Sequence, residues 1–483
     1  MPELTYRRRL LVLGICCLSL FIVGLDNTVV NLALPSIQND LGSSITELQW
    51  TIDAYTLVLA SLLMLAGSTA DRVGRRKIFQ IGLATFSLGS LLCSIAPNTG
   101  TLIIFRMLQA VGGSMLNPVA LSIVTNVFTE RKERAKAIGV WGGVVGLSFA
   151  LGPVVGGVLV DGIGWRSIFW LNVPIGVLAI ALTFRFVPES RAGKARRLDP
   201  AGQSLIIVLL AGVTYGIIEG PNRGRGSPTI IGCLLASAIA LVALVPVEQR
   251  REEPLLDLKF FGSVPFSAAT LIAISGFAAL AGFLFLNAIY LQSVRGYSPL
   301  HAGLLTLPMA AMMALLPPLS GRIVAGRGAR IPLLIAGISV TASGLVLIGI
   351  GPDTSLTQVI LAYVLFGIGF GMMNAPITNT AVSGMPTSQA GVAAAVASTS
   401  RQVGSALGVA VLGTLATSRV VGPLADGFAD ASRPAWIVIS ACGLLVLVLG
   451  FVSTTNWARA TARRTAENFV DKPTVTQTSA VAS

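Results

Sequence analysis

The stretch LFIVGLDNTVVNLALP, residues 20–35, is an apolar segment with a carboxylate near its middle. Asp26 and Asn27 interrupt the run of apolar residues, Asn31 follows four residues after Asn27, and Pro35 closes the stretch. A charged side chain at the centre of a bilayer costs about 3 kcal/mol on insertion scales, and such residues commonly belong to ion or substrate pathways. The segment therefore predicts a membrane-spanning helix in which Asp26 has a functional role.

The composition of the chain indicates the same class of protein. Of its 483 residues, 53% are hydrophobic and only 11% are charged, whereas about a quarter of the residues in soluble domains are charged. So few charges could not cover the surface of a soluble protein of this length. The net charge of +13 is explained by clusters of Lys and Arg between the apolar runs, as in the cytoplasmic loops of membrane proteins. Nucleic-acid binding is therefore not expected.

The chain offers few residues for metal binding or catalysis. Its five cysteines lie in apolar runs, and its single histidine, His301, begins a predicted helix. Neither metal-ligand spacing nor a disulfide pattern is found, and the sequence has no phosphate-binding loop. We therefore expect no metal, no cofactor and no enzymatic activity. The N-terminal run resembles a signal peptide but lacks a cleavage site, which favours a retained first helix.

Apolar runs long enough to cross a bilayer recur along the chain. A hydrocarbon core of ~30 Å requires about 20 helical residues. Fourteen such runs are found, at 10–34, 47–66, 78–96, 101–126, 135–160, 167–187, 203–220, 228–247, 266–291, 300–321, 330–351, 356–381, 391–417 and 435–454. Most of the 34 Lys and Arg residues fall in the termini and in alternate loops, which predicts that both termini are cytoplasmic. The same alternation would result if the two runs at 203–220 and 228–247 did not cross the membrane, so twelve spans is the alternative.

Short segments recur in the two halves of the chain at a nearly constant offset. ALGPVVGGVL at 150–159 resembles ALGVAVLGTL at 406–415, and GGSMLNP at 112–118 resembles FGMMNAP at 370–376. Related halves are typical of secondary transporters. The predicted organisation is a cytoplasmic N-terminus (1–9), an N-terminal six-helix bundle (10–187), two inserted helices with flanking loops (188–265), a C-terminal six-helix bundle (266–454) and a disordered cytoplasmic tail (455–483).

Three ionisable residues lie at similar depths in three predicted spans. Asp26, Asp53 and Arg106 are expected roughly 8–14 Å from the outer surface, at 1.5 Å of rise per residue. Each could instead be a buried polar residue that ties helices together. Burial disfavours the ionised form of a carboxylate and a nearby arginine favours it, so such a group can bind and release a proton when its surroundings change. We therefore predict that these three residues couple the protein to protons.

Three stretches of the sequence resemble signatures of a known family. LDNTVVNLALPSI (25–37) is similar to the first-helix signature of the fourteen-helix drug:proton antiporters of the major facilitator superfamily. LIIFRMLQAVGGS (102–114) is similar to the superfamily's fourth-helix signature, whose arginine, here Arg106, is implicated in proton transfer. WRSIFWLNVPIG (165–176) resembles the start of the subfamily's sixth helix. The resemblance covers residues 10–455 and implies an all-α major facilitator fold of two six-helix bundles plus two inserted transmembrane helices.

Two further signatures imply roles for groups of residues. GSTADRVGRRK (67–77) resembles the superfamily's loop signature, which acts as a conformational latch. Its matching residues include Gly67, Asp71, Arg72, Gly74 and Arg75. ALGPVVGG (150–157) resembles the fifth-helix signature of exporters, with Gly152, Pro153, Gly156 and Gly157 at the matching positions. Close helix packing alone would also explain these glycines. The chain departs from the family pattern at Ala110, where glycine is usual, and at Ala325, which replaces an acidic residue in the second-half copy of the loop.

The resemblance implies a multi-pass protein of the bacterial inner membrane that exports amphipathic drug-like molecules in exchange for protons, and we predict a monomer. The predicted substrate path consists of Asn27, Asn31, Tyr55, Gln109, Asn117, Asn287, Met372 and Asn374. With two deep carboxylates, Asp26 and Asp53, monocations or neutral molecules are expected to be better substrates than rigid dications. A proton-coupled uptake carrier for a nutrient, and a non-transporting membrane sensor or enzyme, are the alternatives. The fifth-helix signature disfavours uptake.

Overall fold

The computed structural model of the chain describes residues 5–191, 199–251, 257–383, 390–418, 420 and 424–467. Regular structure in this part of the chain is entirely helical. The α-helices are α1 (Tyr6–Leu41), α2 (Ile45–Val73), α3 (Arg75–Ser94), α4 (Thr99–Val127), α5 (Arg131–Gly162), α6 (Ser167–Trp170), α7 (Asn172–Phe186), α8 (Pro200–Arg223), α9 (Pro228–Gln249), α10 (Val264–Ile289), α11 (Pro299–Leu305), α12 (Leu307–Arg327), α13 (Arg330–Leu347), α14 (Leu356–Val382), α15 (Ala390–Thr417), α16 (Leu424–Ser453) and α17 (Asn456–Glu467). A 3-10 segment (Leu258–Gly262) precedes α10, and a π-helical segment (Tyr290–Val294) follows it.

Polar residues and a glycine mark the helix ends. Gly42 adopts a positive φ of 64° after α1. Ser44 then caps α2: its Oγ accepts the N–H of Glu47 at 3.2 Å, and Glu47 Oε2 accepts the N–H of Ser44 at 2.7 Å. Asp199 caps α8 through the N–H of Gly202 at 3.0 Å. These side chains bind the N–H groups that the first helical turn leaves without partners.

Thirteen helices of the described residues are long and apolar enough to cross a membrane. This confirms the predicted all-helical membrane architecture. The remaining predicted span, 391–417, corresponds to the 28-residue helix α15, which is long enough but contains Arg401 and Gln402. The count of fourteen spans and the cytoplasmic placement of the termini stay predictions.

Two predicted boundaries are wrong. Pro35 does not end the first segment, because α1 continues to Leu41 with Pro35 inside it. A proline there removes one intrahelical hydrogen bond, and the packing around this buried stretch holds the helix together. Residues 456–467 of the predicted disordered tail form α17, where Ala458 and Ala462 lie one turn apart and are buried. The rest of that tail lies outside the described residues, and the other domain bounds stay predictions.

The inserted helix α8 lies beside one helix of each predicted bundle. On the N-terminal side, Trp50 Nε1 of α2 donates to Glu219 Oε1 of α8 at 2.9 Å. On the C-terminal side, Thr414 Oγ1 of α15 donates to the carbonyl of Ile217 of α8 at 3.5 Å. The helix α8 therefore covers the seam between α2 and α15, and α9 packs against α8.

The two predicted bundles contact each other mainly toward one end of the helices. Gln292 Nε2 donates to the carbonyl of Leu32 at 2.8 Å, and the N–H of Leu300 donates to Asp161 Oδ2 at 3.0 Å. We call this end, which includes the turn at Gly42, the closed end. Among the described residues, the direct hydrogen bonds between the two bundles lie at or near it. By the positive-inside prediction, the closed end faces away from the cytoplasm.

Candidate functional site

Asp26 is the centre of a buried polar cluster shared by four helices. The residue is 4% exposed, and its Oδ2 lies 2.6 Å from Arg106 Nη1 of α4. Its Oδ1 accepts hydrogen bonds from Gln109 Nε2 at 2.9 Å and from Asn172 Nδ2 of α7 at 3.0 Å. Both oxygens of the carboxylate therefore have partners. We call these four residues, together with Ser90 of α3, the Asp26 cluster.

Arg106 is held from several directions at once. Besides Asp26, its Nη1 donates to Gln109 Oε1 at 2.6 Å, and its Nε donates to the carbonyl of Thr51 at 3.3 Å. The centre of its guanidinium lies 4.1 Å from the ring of Tyr55, an attractive cation–π contact when water is excluded. Arg106 is 1% exposed. The protein thus fixes the position of this cation, and Asp26 supplies its countercharge.

Close packing of α3 and α4 brings the polar side chains together. Arg106 and Gln109 are three residues apart on α4, so they lie on the same helix face. Gly89 of α3 allows the approach, because a Cβ there would lie 2.6 Å from the Cα of Gln109. The contact places Ser90 Oγ 2.7 Å from Gln109 Nε2 and 3.3 Å from Asn172 Nδ2. Small residues serve this purpose in membrane helices generally.

The chemistry of the cluster follows from its desolvated ion pair. Removing one member of such a pair leaves the other charge buried and uncompensated, which is strongly unfavourable. Neutralising Asp26 by a proton would therefore destabilise this arrangement of α1, α4 and α7. The geometry links the charge of one carboxylate to the packing of three helices.

Asp53 lies outside the Asp26 cluster. It is fully buried, and among the described residues neither of its carboxylate oxygens has a hydrogen-bond partner. Its position four residues after Gln49 puts both on one face of α2, and Gln49 Nε2 points toward α15, 3.4 Å from the carbonyl of Val409. Tyr55, on the opposite face, contacts Arg106. The structure therefore joins Asp26 to Arg106 and places Asp53 on the side of the other bundle.

Several predicted path residues of the first bundle have polar atoms that the described residues leave without partners. These atoms are Asn31 Oδ1, Tyr55 Oη and Asn117 Oδ1. Asn31 Nδ2 donates to the carbonyl of Asn27 at 2.9 Å, so its amide oxygen is the group left over. Asn27 itself is half-buried. Buried polar atoms without partners are costly, which suits groups that bind a ligand or water.

The predicted path residues of the second bundle have different environments. Asn287 is buried and accepts a hydrogen bond from the hydroxyl of Tyr363 within an aromatic core. Met372 is also buried, and its carbonyl accepts from Ser320 Oγ at 2.8 Å. Asn374 is half-buried and is the one of these three residues that remains partly accessible.

The contacts described for Gly67, Asp71, Gly74 and Arg75 lie in the first bundle and in the loop that follows it. Asp71 Oδ1 accepts from Arg75 Nε at 2.9 Å, one turn away. Gly74 has a φ of 135°, and a Cβ there would lie 2.8 Å from Glu189 Oε1. Glu189 accepts the N–H groups of Arg76 and Lys77, at 3.1 and 3.3 Å, and so caps α3 with a negative charge. Gly67 lies next to Pro118, and Arg72 is in the last turn of α2.

The glycines of α5 form two contact surfaces. Gly152 and Gly156 pack against α1, where a Cβ at Gly156 would lie 2.9 Å from Val29 Cγ1. Gly157 packs against the other bundle, where its Cβ would lie 2.6 Å from the Cα of Leu300. The carbonyl of Pro153 faces Gly303 of α11. This stretch therefore lies at the contact between the bundles near the closed end.

Sequence reasoning missed four residues that the structure brings into view. Asn172 and Ser90 complete the Asp26 cluster, Glu189 caps α3, and Arg401 lies inside the predicted span 391–417. Asn172 stands in a recognised motif, and Arg401 is one of two arginines within predicted spans, so both had a signal. The functional roles that the sequence analysis assigns to residues of the proton-coupling site, substrate path, latch and α5 stay predictions.

Known proteins with similar sequences include proteins named for multidrug resistance and for antibiotic resistance and export. Residues 16–409 match the sequence profile of the Major Facilitator Superfamily. The chain is 38% identical over 409 residues to the multidrug resistance protein Stp of Mycobacterium tuberculosis, covering 85% of this chain and 76% of that protein. It is 36% identical over 417 residues to the tetracenomycin C resistance and export protein of Streptomyces glaucescens, covering 85% and 77%.

Solved structures support the fold. The chain resembles the structure of a bacterial homologue of the human lysosomal transporter Spinster, with a TM-score of 0.66 at 18% identity over 96% of this chain and 99% of that one. At this identity the likeness concerns the fold alone. Together with the sequence profile and the relatives, it leads to one conclusion. The chain is a multi-pass membrane protein that belongs to the major facilitator superfamily.

Proposed function

We propose that the protein is a proton-coupled antiporter of the bacterial inner membrane, which exports amphipathic drugs, dyes or antibiotics from the cytoplasm. The observation that carries the proposal is the buried Asp26–Arg106 pair, with a separation of 2.6 Å, at the junction of α1, α4 and α7. Export as the direction is supported by relatives named for multidrug resistance and for tetracenomycin C resistance and export. We propose that the monomer is the working unit.

Proton coupling acts through the countercharge of Arg106. When Asp26 takes up a proton from one side of the membrane, it loses its charge and Arg106 loses its ion-pair partner. The cost of an uncompensated buried cation then favours a different packing of α1, α4 and α7. Release of the proton to the other side restores the pair. Binding of a substrate close to these helices and protonation of Asp26 favour different packings of α1, α4 and α7, so the two events compete.

Alternating access uses the contact between the bundles. The closed end holds the bundles together through α5, α11 and α1, and small residues permit their close approach. In the opposite state this end separates, while the other end closes. Asp71 and Arg75 pair with each other within the first bundle. In the opposite state, either residue can pair with a residue of the second bundle instead, which would give this segment its latch role.

A panel of substrates in an efflux-deficient bacterium tests the proposed function. Cells that express the protein are compared with cells that carry an empty vector, for resistance to unrelated antibiotics and for efflux of dyes with and without a proton uncoupler. We expect resistance to several compounds and efflux that stops with the uncoupler. Growth on a nutrient without any resistance would instead identify an uptake carrier.

Asp53 gives a prediction of moderate size. Asp53→Asn replaces a buried carboxyl group on the α15 side of α2 and removes no described hydrogen bond, so we expect normal amounts of protein and a stability change below about 1 kcal/mol. Export of a monocationic dye should fall by several-fold, because a bound cation favours the ionised carboxylate and is attracted to it with several kcal/mol at an effective ε of ~20. Export of a neutral antibiotic should change little.

Resistance to a monocationic dye, a dicationic biguanide and a neutral antibiotic measures this difference. Glu219→Gln, which changes a carboxylate on the inserted helix α8, serves as the control. Equal losses for all three compounds in Asp53→Asn would assign Asp53 to proton coupling or to structure rather than to substrate recognition.

A further inference from the structure

Arg401 is an arginine in the second bundle that has no carboxylate partner among the described residues. Its Nη2 donates to Thr378 Oγ1 of α14 at 2.6 Å, and this hydrogen bond is exposed. Its guanidinium lies 5.9 Å from the ring of Phe277 of α10, and its Nε is buried without a hydrogen-bond partner. A guanidinium carries five N–H donors, so most of those of Arg401 have no hydrogen-bond partner among the described residues.

The helices whose side chains contact Arg401 supply no negative charge, because neither α10 nor α14 nor its own helix α15 contains an Asp or a Glu. The neighbouring helix α2 also packs against α15 and carries Asp53, but neither carboxylate oxygen of Asp53 has a hydrogen-bond partner among the described residues. This lack of a described carboxylate partner distinguishes Arg401 from Arg106, whose countercharge is the Asp26 carboxylate. Ionisable residues within membrane spans are costly and commonly mark a substrate pathway. The countercharge of Arg401 is therefore expected to come from a ligand.

A row of aromatic rings begins beside Arg401. The ring of Phe277 packs edge-on against Phe370 of α14 with centroids 5.0 Å apart. Phe370 in turn lies 6.4 Å from Phe149 of α5, so the aromatic surface reaches from Arg401 to the first bundle. An apolar, flat molecule with an acidic group would place its rings on this surface and its charge on the arginine.

A second polar group lies beside the arginine. Asn374 stands one turn before Thr378 on α14, so both are on the same helix face. It is half-buried, and among the described residues its amide side chain has no hydrogen-bond partner. An amide N–H₂ in this position can donate to an anion that also binds the guanidinium.

We infer that Arg401, Thr378 and Asn374 form a subsite for the carboxylate or phenolate of an amphipathic aromatic molecule, whose rings lie against the half-buried ring of Phe277. The inference rests on the proposed export function and names a substrate class for it. It differs from the monocations that the sequence favours, because those were expected from Asp26 and Asp53 alone. Arginine suits the task because its planar fork binds a carboxylate through two parallel hydrogen bonds.

Two dyes that share a xanthene ring system test the subsite. Inside-out vesicles with an acidic lumen are supplied with anionic carboxyfluorescein or with a cationic rhodamine ester. We expect the wild type to take up both dyes. Arg401→Gln should lower uptake of carboxyfluorescein by about tenfold or more, the effect of losing hydrogen bonds to a charged group, and leave uptake of the rhodamine ester unchanged. Arg401→Lys should retain part of the carboxyfluorescein uptake.

Arg433→Gln is the matched control, because Arg433 is exposed and pairs with Asp430 of its own helix at 2.8 Å. It should leave the uptake of both dyes unchanged. Equal loss of both dyes in Arg401→Gln, with Arg401→Lys equally impaired, would overturn the subsite and make Arg401 a structural residue. Normal carboxyfluorescein uptake by a folded Arg401→Gln variant would also overturn it.

Direct binding separates this inference from the export proposal. Fluorescence anisotropy of carboxyfluorescein with the detergent-solubilised protein should detect binding to the wild type that Arg401→Gln weakens by about tenfold. Such binding without pH-driven uptake of either dye would support the subsite and contradict export. Uptake of the rhodamine ester without binding or uptake of carboxyfluorescein would overturn the subsite and support export.

Discussion

Asp26→Asn is expected to abolish dye uptake driven by a pH gradient, down to the level of vesicles without the protein. Asparagine keeps the shape of the side chain and an oxygen that can accept from Gln109 or Asn172. It cannot carry the negative charge that balances Arg106, and it cannot exchange a proton. The measurement is dye uptake by inside-out vesicles with an acidic lumen, normalised to the amount of protein in the membrane.

Loss of stability is the competing explanation for this variant, and the structure suggests how to separate it. Asp26→Asn leaves Arg106 buried without its ion-pair partner, which costs about 3–5 kcal/mol when a buried pair is broken. The double variant Asp26→Asn with Arg106→Gln removes that charge as well. It is expected to recover the amount of folded protein without recovering pH-driven uptake.

Asp40→Asn provides the matched control for Asp26→Asn. Asp40 is on the same helix and pairs with Arg166 at 2.5 Å, but both side chains are about half exposed. Exposed ion pairs contribute about 0–1 kcal/mol, so near-normal uptake is expected. If a well-folded Asp26→Asn protein takes up dye in response to the pH gradient, Asp26 is not the proton-coupling group.

The membrane fold and the similar depth of Asp26 and Arg106 could be predicted from the sequence because both depend on rare features. Apolar runs of about 20 residues are uncommon outside membranes, and ionisable residues inside such runs are rarer still. Asn172 and Ser90 could not be assigned in the same way. Neutral polar side chains are frequent in helices, and the sequence does not indicate which helix face contains their hydrogen-bond partners.

The position of Asp53 illustrates a limit of reasoning from depth. The distance along a helix sets how deep a residue lies, but its direction changes by about 100° per residue. Asp53 is therefore on nearly the opposite side of α2 from Tyr55, which contacts Arg106. Contacts between the bundles, such as that of Gly157 with Leu300, join distant parts of the chain. The local pattern of residue types in the sequence does not determine these contacts.

Gly157→Leu is expected to reduce export by about tenfold or more with near-normal insertion into the membrane. A Cβ at residue 157 would lie 2.6 Å from the Cα of Leu300 and 3.0 Å from the carbonyl oxygen of Pro299. Both are backbone atoms, which cannot move aside as a flexible side chain would. Overpacking of this kind costs about 1–3 kcal/mol, which corresponds to a shift of about 5- to 150-fold in a conformational equilibrium. The conformation that loses population is the one in which the closed end is sealed.

The reactivity of an introduced cysteine reports that shift. Ser293 is half-buried and lines a surface cavity at the closed end beside Gln292, so maleimide labelling of Ser293→Cys should increase in the Gly157→Leu background. Gly139→Leu is the control on the same helix, because a Cβ there meets nothing within 4 Å, and it should change neither labelling nor export. Normal export by Gly157→Leu at normal protein levels would mean that α5 and α11 need not approach this closely during transport. The exporter signature of α5 would then reflect its packing against α1 through Gly152 and Gly156.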